Sequence, residues 1–476
     1  MITLPNPLCE KLKRSDQLHL LQYWDELKES EQAGLLGQLQ AIDWDVVANL
    51  AAGGASDIQK KIDFEELEPP RAFRSDDADA DWTVAEAVEA GTSAIKAGTV
   101  AVVMVAGGQG TRLGFEHPKG MYPIGPVSNR TLFHIFIDRI KATSQRYGVS
   151  IPLYLMTSDA THRETRDYFE AHRFFGLPAE LVTIFKQGTM PAVDAATGRC
   201  LLASRSSLAL SPDGHGGTLA ALQQNGCLDD AERRGVKHLA YIQVDNPLAQ
   251  LCDPVFLGHH LLSKSEMTTQ VVKKRHPLER VGNVVRVGDE VRIVEYSDLP
   301  DELAFQKGDD GELRFWAGNI AVHWLELSFL KQSLLRADTL PYHRAIKKVP
   351  CLDSRGHLVE PATPNAVKFE RFIFDLLPHA KNALVVESDP RDSFAPVKNA
   401  AGAETDTAEL AKAAMCDLHR SWLAEAGVMV SDGVKVEISP HFALDSSELG
   451  NKVVRGKTIT EDCFFGETDP HKGIGQ

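Results

Sequence analysis

Apolar residues recur at helical spacing near the start of the chain. Leu18, Leu21, Trp24 and Leu27 make one stripe, and Leu35, Leu36 and Leu39 make a second after a Glu-rich break. That three-to-four-residue period predicts a packing helix pair, with Asp16 standing where an N-cap belongs ahead of the first stripe. Pro69-Pro70 and the acidic run from Asp76 to Asp81 predict a hydrated connector. A helix follows over 83–96, closed by Gly98. From Thr99 the texture changes. Short apolar runs at 100–105, 153–157 and 240–244 read as strands, and they alternate with helical stretches at 132–141, 161–172 and 256–263. Such alternation predicts a mostly parallel sheet with helices on both faces. Ligands of such sheets bind outside the C-terminal ends of the strands, here the loops after Val105, Met156 and Val244. Between 269 and 322 the runs 269–273, 284–287, 291–296 and 315–322 look antiparallel and predict a lobe or edge layer. A helical segment at 369–377, a loop over 388–402, a helix over 408–426 and a strand at 434–438 complete the reading. The fold class is therefore α/β, a Rossmann-like mixed, mostly parallel sheet, with an N-terminal helical region (1–98), a central domain (99–387) and a small C-terminal α+β domain (388–476).

Composition narrows the function. The chain has 476 residues, and 51 Lys+Arg against 66 Asp+Glu give a net charge of −15. That balance disfavours a broad nucleic-acid or anionic-membrane surface while permitting a local basic pocket. Seven scattered cysteines without a CxxC pair indicate neither a disulfide framework nor a zinc site, and fit a reducing cytoplasm. Residues 1–9 do not resemble a signal peptide, and the most apolar run, 99–106, is far short of the ~20 residues that span a bilayer.

The most informative segment runs from Val100 through Gly107-Gly108-Gln109-Gly110-Thr111-Arg112-Leu113-Gly114 to Pro118-Lys119-Gly120. A buried strand opens directly into four glycines, whose backbone N–H groups can curl around an anion, with Arg112 and Lys119 supplying fixed charge. Two familiar phosphate motifs fail by counting. The dinucleotide fingerprint would need glycine where Leu113 stands, and a Walker A loop ending at Gly456-Lys457-Thr458 would need glycine where Asn451 stands. Asp245 ends a second apolar strand, where a carboxylate suits Mg²⁺, a hard cation that accepts one or two carboxylates plus phosphate oxygens; a helix N-cap is the plainer alternative. Gln187-Gly188 follows a third strand, and a side-chain amide there could pair with a base's donor and acceptor or simply sit in a turn. Glu295 and Asn319 fall in the strand-rich lobe, and Lys368 and Lys398 are isolated lysines for which solvation is the default.

The string G-G-x-G-T-R-L-G followed by P-K resembles the signature of sugar nucleotidyltransferases. More closely, the chain resembles the UDP-sugar pyrophosphorylases, and among them the eukaryotic-type UDP-N-acetylhexosamine pyrophosphorylases. Gln17-Leu18-His19-Leu20-Leu21, Met156-Thr157-Ser158, Pro212-Asp213-Gly214-His215-Gly216-Gly217, Val244-Asp245-Asn246, Glu295-Tyr296-Ser297, Gly318-Asn319-Ile320, Lys368-Phe369-Glu370, Pro396-Val397-Lys398-Asn399 and Glu437-Ile438-Ser439-Pro440 follow in family order. The resemblance implies a GT-A-like fold and Mg²⁺-dependent (or Mn²⁺-dependent) uridylyl transfer from UTP to a hexose 1-phosphate, N-acetylglucosamine 1-phosphate above all. It implies UTP contacts at Val105, Ala106, Gly107, Gly108, Gln187 and Gly214, and sugar-phosphate contacts at His215, Glu295, Asn319 and Lys368. Arg112, Lys119 and Lys398 become catalytic cations and Asp245 the metal ligand. At position 215 the acetylhexosamine enzymes usually carry asparagine. The Gly-His-Gly form is similar to the glucose-1-phosphate uridylyltransferases and broad UDP-sugar pyrophosphorylases, which stand as the alternative. A UDP-sugar-binding protein without turnover is a further one, against which intact Gly107, Arg112, Lys119 and Asp245 argue.

Overall fold

The computed structural model describes residues 2–54, 63–74, 81–336 and 340–466; most of the acidic run at 76–81 lies outside them. The chain divides into two compact units, each assembled from separated stretches. The first takes residues 1–64, 187–221 and 336–375, and the second takes 65–186, 222–335 and 376–476. This division cuts across the three consecutive parts read from the sequence, because strand pairing joins distant segments: Val367 lies opposite Val193.

In the first unit, helices α1 (Asn6–Arg14) and α2 (Glu29–Ala41) enclose a core that includes Leu12, Leu20, Leu35, Leu39 and Phe369. The second predicted stripe is helical, burying Leu35 and Leu39 one turn apart. The first is not one helix. It forms two short 3₁₀ turns, Leu18–Leu21 and Trp24–Glu26. Asp16 caps neither, since its backbone is left-handed (φ 55°). The neighbouring Gln17 redirects the chain: its buried amide accepts from the Cys200 backbone N–H at 2.8 Å and donates to the Ser15 carbonyl at 3.1 Å. The predicted helix at 369–377 is also corrected. Phe369 belongs to a strand, Ala366–Glu370, flanked by His343–Lys347 and Val193–Asp194. Only afterwards does a 3₁₀ segment, Ile373–His379, form, with Pro378 unable to extend a hydrogen-bond ladder.

The second unit is built on an eleven-stranded sheet. Its strands are β1 (Leu67–Glu68), β2 (Ala72–Phe73), β3 (Val100–Val105), β4 (Leu153–Thr157), β5 (Val182–Lys186), β6 (His238–Gln243), β7 (Met267–Lys273), β8 (Gly282–Val287), β9 (Glu290–Val294), β10 (Ala317–Glu326) and β11 (Leu384–Ser388). The spatial order is β2-β11-β7-β10-β6-β3-β4-β5, with β8 pairing β1, β9 and β10 off this path. Strand β10 runs antiparallel to its neighbours β6, β7 and β8, while β3 runs parallel to both β4 and β6. The near-continuous Val-rich run of β3 is buried, as a strand covered on both faces requires. Five helices matter here: α3 (Val84–Lys96), α4 (Leu132–Tyr147), α5 (Asp159–Ala171), α6 (Pro254–Leu262) and α7 (Ala408–Glu425). Helix α3 starts with a capping box in which the Thr83 hydroxyl accepts from the Glu86 N–H at 3.2 Å and the Glu86 carboxylate accepts from the Thr83 N–H at 2.7 Å. Among the described residues no helix is long and apolar enough to cross a membrane.

Candidate active site

The chain leaves β3 for β4 and β5 on one side and later returns to place β6 on the other side of β3. That reversal is a topological switch point, where the loops after adjacent parallel strands part and leave a crevice. The glycine-rich turn follows β3, and Asp245 follows β6, whose last residue Gln243 lies opposite Val105.

The turn is fixed by its own backbone. Lys119 N–H donates to Gly108 O at 3.0 Å, Gly110 N–H to His117 O at 2.9 Å, and Ala106 N–H to Met156 O at 2.8 Å. The Ser158 hydroxyl donates to Gly107 O at 2.7 Å, tying the first glycine to the start of α5. A Cβ on Gly110 would come within 2.7 Å of the Phe115 ring, so only glycine permits this curl. Val105 and Gly107 are half-buried, Ala106 is buried, and Gly108 and Arg112 are exposed. Lys119 Nζ lies 3.5 Å from Asp245 Oδ2, with both side chains largely covered. The separation is loose for an ion pair between charges that share little water. Asp245 is held from its backbone, where its carbonyl accepts from the Val397 N–H at 2.8 Å. The next residue, Lys398, donates its N–H to Asp406 O at 2.8 Å and extends its ammonium over the Phe394 ring at 6.0 Å. Arg112, Lys119, Asp245 and Lys398 thus belong to the loops of one unit, and contacts link Lys119 with Asp245 and Asp245 with the 397–398 segment.

Sequence reasoning passed over Asp406, whose carboxyl burial pushes above its usual range against the pull of Lys398 and Arg275. It sits just before Thr407, whose hydroxyl caps α7, and in the sequence it reads as one more polar loop residue. Glu295 and Asn319 come together around Gly282: a Cβ there would lie 3.3 Å from Glu295 Oε1 and 3.8 Å from Asn319 Cβ. Ile293 Cγ2, 2.7 Å from the same point, already fills the space beside the two polar groups at the β8–β10 pairing, where Gly282 opposes Asn319. Asn319 Oδ1 accepts from the Ala321 N–H at 3.0 Å.

In the first unit, Gln187, Gly214, His215 and Lys368 are each half-buried. The 213–217 loop is bound to Arg371. Its N–H donates to Asp213 O at 2.8 Å, its carbonyl accepts from Gly216 N–H at 2.7 Å, and its guanidinium pairs with the buried Asp213 carboxylate. The His215 ring stacks on Phe372 with centroids 5.2 Å apart, and its Nδ1 accepts from the Ile373 N–H at 3.3 Å. Burial, helped by nearby His343, lowers its pKa to about 4 and keeps it neutral. Lys368 lies in the 366–370 strand opposite Ala345. Asp213 and Arg371 do not stand out as a pair in the sequence, because 158 residues separate them.

The Glu437 motif has a structural role in the second unit. Its carboxylate accepts from the N–H groups of Val127 and Ser128 at 2.8 and 2.7 Å and from the Ser128 hydroxyl at 2.7 Å. It thereby fixes the loop that leads into α4.

A family model described as UTP–glucose-1-phosphate uridylyltransferase matches residues 51–447. The chain belongs to that family. Among its relatives is the UDP-N-acetylglucosamine pyrophosphorylase of Saccharomyces cerevisiae, 40% identical over 75% of this chain and 77% of that protein. Another is the UDP-N-acetylhexosamine pyrophosphorylase-like protein 1 of Xenopus tropicalis, 36% identical over 89% of this chain and 85% of its own length. Of the solved structures, the uridine diphosphate N-acetylglucosamine pyrophosphorylase of Trypanosoma brucei superposes with a TM-score of 0.82 at 27% identity, covering 97% of this chain and 99% of that one. Family membership carries the enzyme class, a uridylyltransferase acting on UTP and a sugar 1-phosphate. It also identifies the sheet as that of a nucleotidyltransferase-like fold.

Proposed function

We propose that the protein makes UDP-N-acetylglucosamine and pyrophosphate from UTP and N-acetylglucosamine 1-phosphate. The observation that carries this reading is the Lys119–Asp245 pair at the mouth of the glycine turn, in a chain whose relatives bear that pyrophosphorylase name. The sugar phosphate is already an anionic nucleophile, so no Ser-His-Asp relay is needed. Its oxygen attacks the α-phosphorus of UTP in line, the bond to the β-phosphate oxygen breaks, and pyrophosphate leaves with that electron pair. Catalysis then consists of alignment and charge neutralisation. The backbone of Val105, Ala106, Gly107 and Gly108 lines the phosphates, Arg112 and Lys119 hold them and the departing pyrophosphate, and Lys398 balances the sugar phosphate.

Asp245 presents a hard oxygen donor, held in place by its backbone bond to Val397. That fits Mg²⁺ or Mn²⁺, which take few protein carboxylates and complete their shell with phosphate and water oxygens. When bound, the ion supplies further charge neutralisation on the phosphates. Glu295 and Asn319, both near Gly282, offer an acceptor and an amide to sugar hydroxyls. Within the first unit, Gln187 offers its amide and Gly214 its bare backbone to a uracil ring, while His215 and Lys368 suit a sugar phosphate. The free thiols of all seven cysteines accord with a cytoplasmic setting.

His215 favours the second reading, glucose 1-phosphate or several sugar phosphates. A steady-state panel of N-acetylglucosamine, N-acetylgalactosamine and glucose 1-phosphates with UTP and Mg²⁺ decides between the two. The highest kcat/KM is expected with N-acetylglucosamine 1-phosphate. A preference for glucose 1-phosphate would overturn the sugar assignment, and no pyrophosphate release from any of them would overturn turnover itself.

A further inference from the structure

The N-terminal edge of the sheet holds a second cluster of chemistry. His238 opens β6 directly opposite Glu326, the last residue of β10. His260, on α6, meets the His238 ring edge-on with centroids 5.3 Å apart. One donor atom from each of His238, His260 and Glu326 lies within 4.8 Å of the others, and His238 Nδ1 is 3.4 Å from Glu326 Oε1. Both imidazoles are buried, at 6% and 0% exposure. Yet neither His238 Nδ1 nor His260 Nε2 has a hydrogen-bond partner. Buried polar nitrogens are rarely left so, and an unoccupied ligand position is a recognised reason. The other nitrogen of His260 is engaged: Nδ1 lies 2.9 Å from the Thr268 hydroxyl. When Nδ1–H donates there, the Nε2 lone pair is the one turned toward the cluster, the outer-shell arrangement that orients metal-binding histidines.

We propose that His238, His260 and Glu326 bind a divalent transition-metal ion, zinc being the best fit, at a site separate from the glycine turn. Two imidazoles and a carboxylate are a borderline donor set that suits zinc and disfavours Mg²⁺, which prefers oxygen throughout. Around a tetrahedral zinc, ligand atoms stand about 3.3 Å apart, the spacing already present between His238 and Glu326. The Glu326 side chain keeps 29% of its surface exposed, giving entry and room for a fourth, water ligand. The ion would staple β6, β10 and α6 together. The β6 strand spans five residue steps, about 16 Å, and separates this cluster from the Asp245 end.

The test uses the full chain, stripped of metal by a chelator and titrated with Co²⁺ and then Zn²⁺ in excess Mg²⁺. One Co²⁺ per chain with the absorption of a four-coordinate ion is expected, displaced by Zn²⁺, together with a zinc-dependent rise in Tm. Glu326→Gln, at a partly exposed position, and His238→Gln should each weaken Co²⁺ binding by about tenfold or more. If His238→Gln does not fold, the wild type and Glu326→Gln decide the matter. Absence of stoichiometric Co²⁺ uptake by the folded wild type, or uptake unchanged in the folded variants, overturns the proposal.

Discussion

The adjacent strands β3 and β6 end in two contrasting regions. At their C-terminal edge lie the glycine turn, Lys119 and Asp245, on loops with partly exposed backbone. At the other edge, Val100 and His238 lie side by side, both buried, with the partly exposed Glu326 opposite His238. The glycine turn of the first edge is built from neighbours in sequence, because a loop that cradles an anion must present consecutive N–H groups. The second is built from residues 22 and 88 positions apart, brought together only by strand register and helix docking. If the proposed function holds, substitutions at the first edge should act on turnover and those at the second on stability.

The largest effect is expected at the open edge. Lys119→Ala should lower kcat about 10²–10³-fold at saturating UTP while moving the urea midpoint much less, because the pair it breaks is loose, with its charges 3.5 Å apart. Unchanged turnover in the folded variant removes Lys119 from the mechanism, and a large stability loss erases the contrast between the edges.

Next comes the helix-covered side. Helices α3 and α6 cross backbone to backbone, and a Cβ on Gly258 would lie 1.8 Å from the Ala87 carbonyl oxygen. Gly258→Ala should cost about 3 kcal/mol, the upper end for overpacking, with kcat per folded molecule unaltered. A urea midpoint equal to that of the wild type would mean the helices can slide apart at no cost.

The smallest effect concerns protons in the interior. His419 of α7 is buried, its Nδ1 accepts from the Ile438 N–H at 3.3 Å, and burial lowers its pKa to about 3. The unfolded chain holds this proton below about pH 6.5 and the folded chain does not, so stability falls as pH drops through 6.5 and keeps falling toward 3. Between pH 7.5 and 5 this residue should account for about 2 kcal/mol of the loss. His419→Gln should remove that share of the decline in urea midpoints, whereas an identical pH dependence would show that the proton is taken up without penalty.

Much of the open edge is legible in the order of amino acids alone. Val100 to Val105 reads as a buried strand, the four glycines as an anion loop, and Asp245 as a carboxylate at a strand end, because each signal is local and chemically distinctive. Helix α3 is likewise readable from Thr83 and Gly98. The fold departs from the sequence pattern where tertiary partners decide. Leu18 to Trp24 has helical spacing, but the bonds of Gln17 to Cys200 and Ser15 turn the chain aside. Phe369 looks helical until the 343–347 strand pairs with it opposite Arg344.

The linear chain by itself determined the α/β class, the phosphate-type loop with its lysine, and the family resemblance, since these rest on periodicity and on short contiguous motifs. Only the folded structure decided that Lys119 meets Asp245, that Glu295 and Asn319 both approach Gly282, that Arg371 locks the 213–217 loop, and that two buried imidazoles cluster with Glu326. Those contacts join residues tens to hundreds of positions apart. Their geometry is set by strand register, helix docking and burial, and no local pattern of residues encodes it.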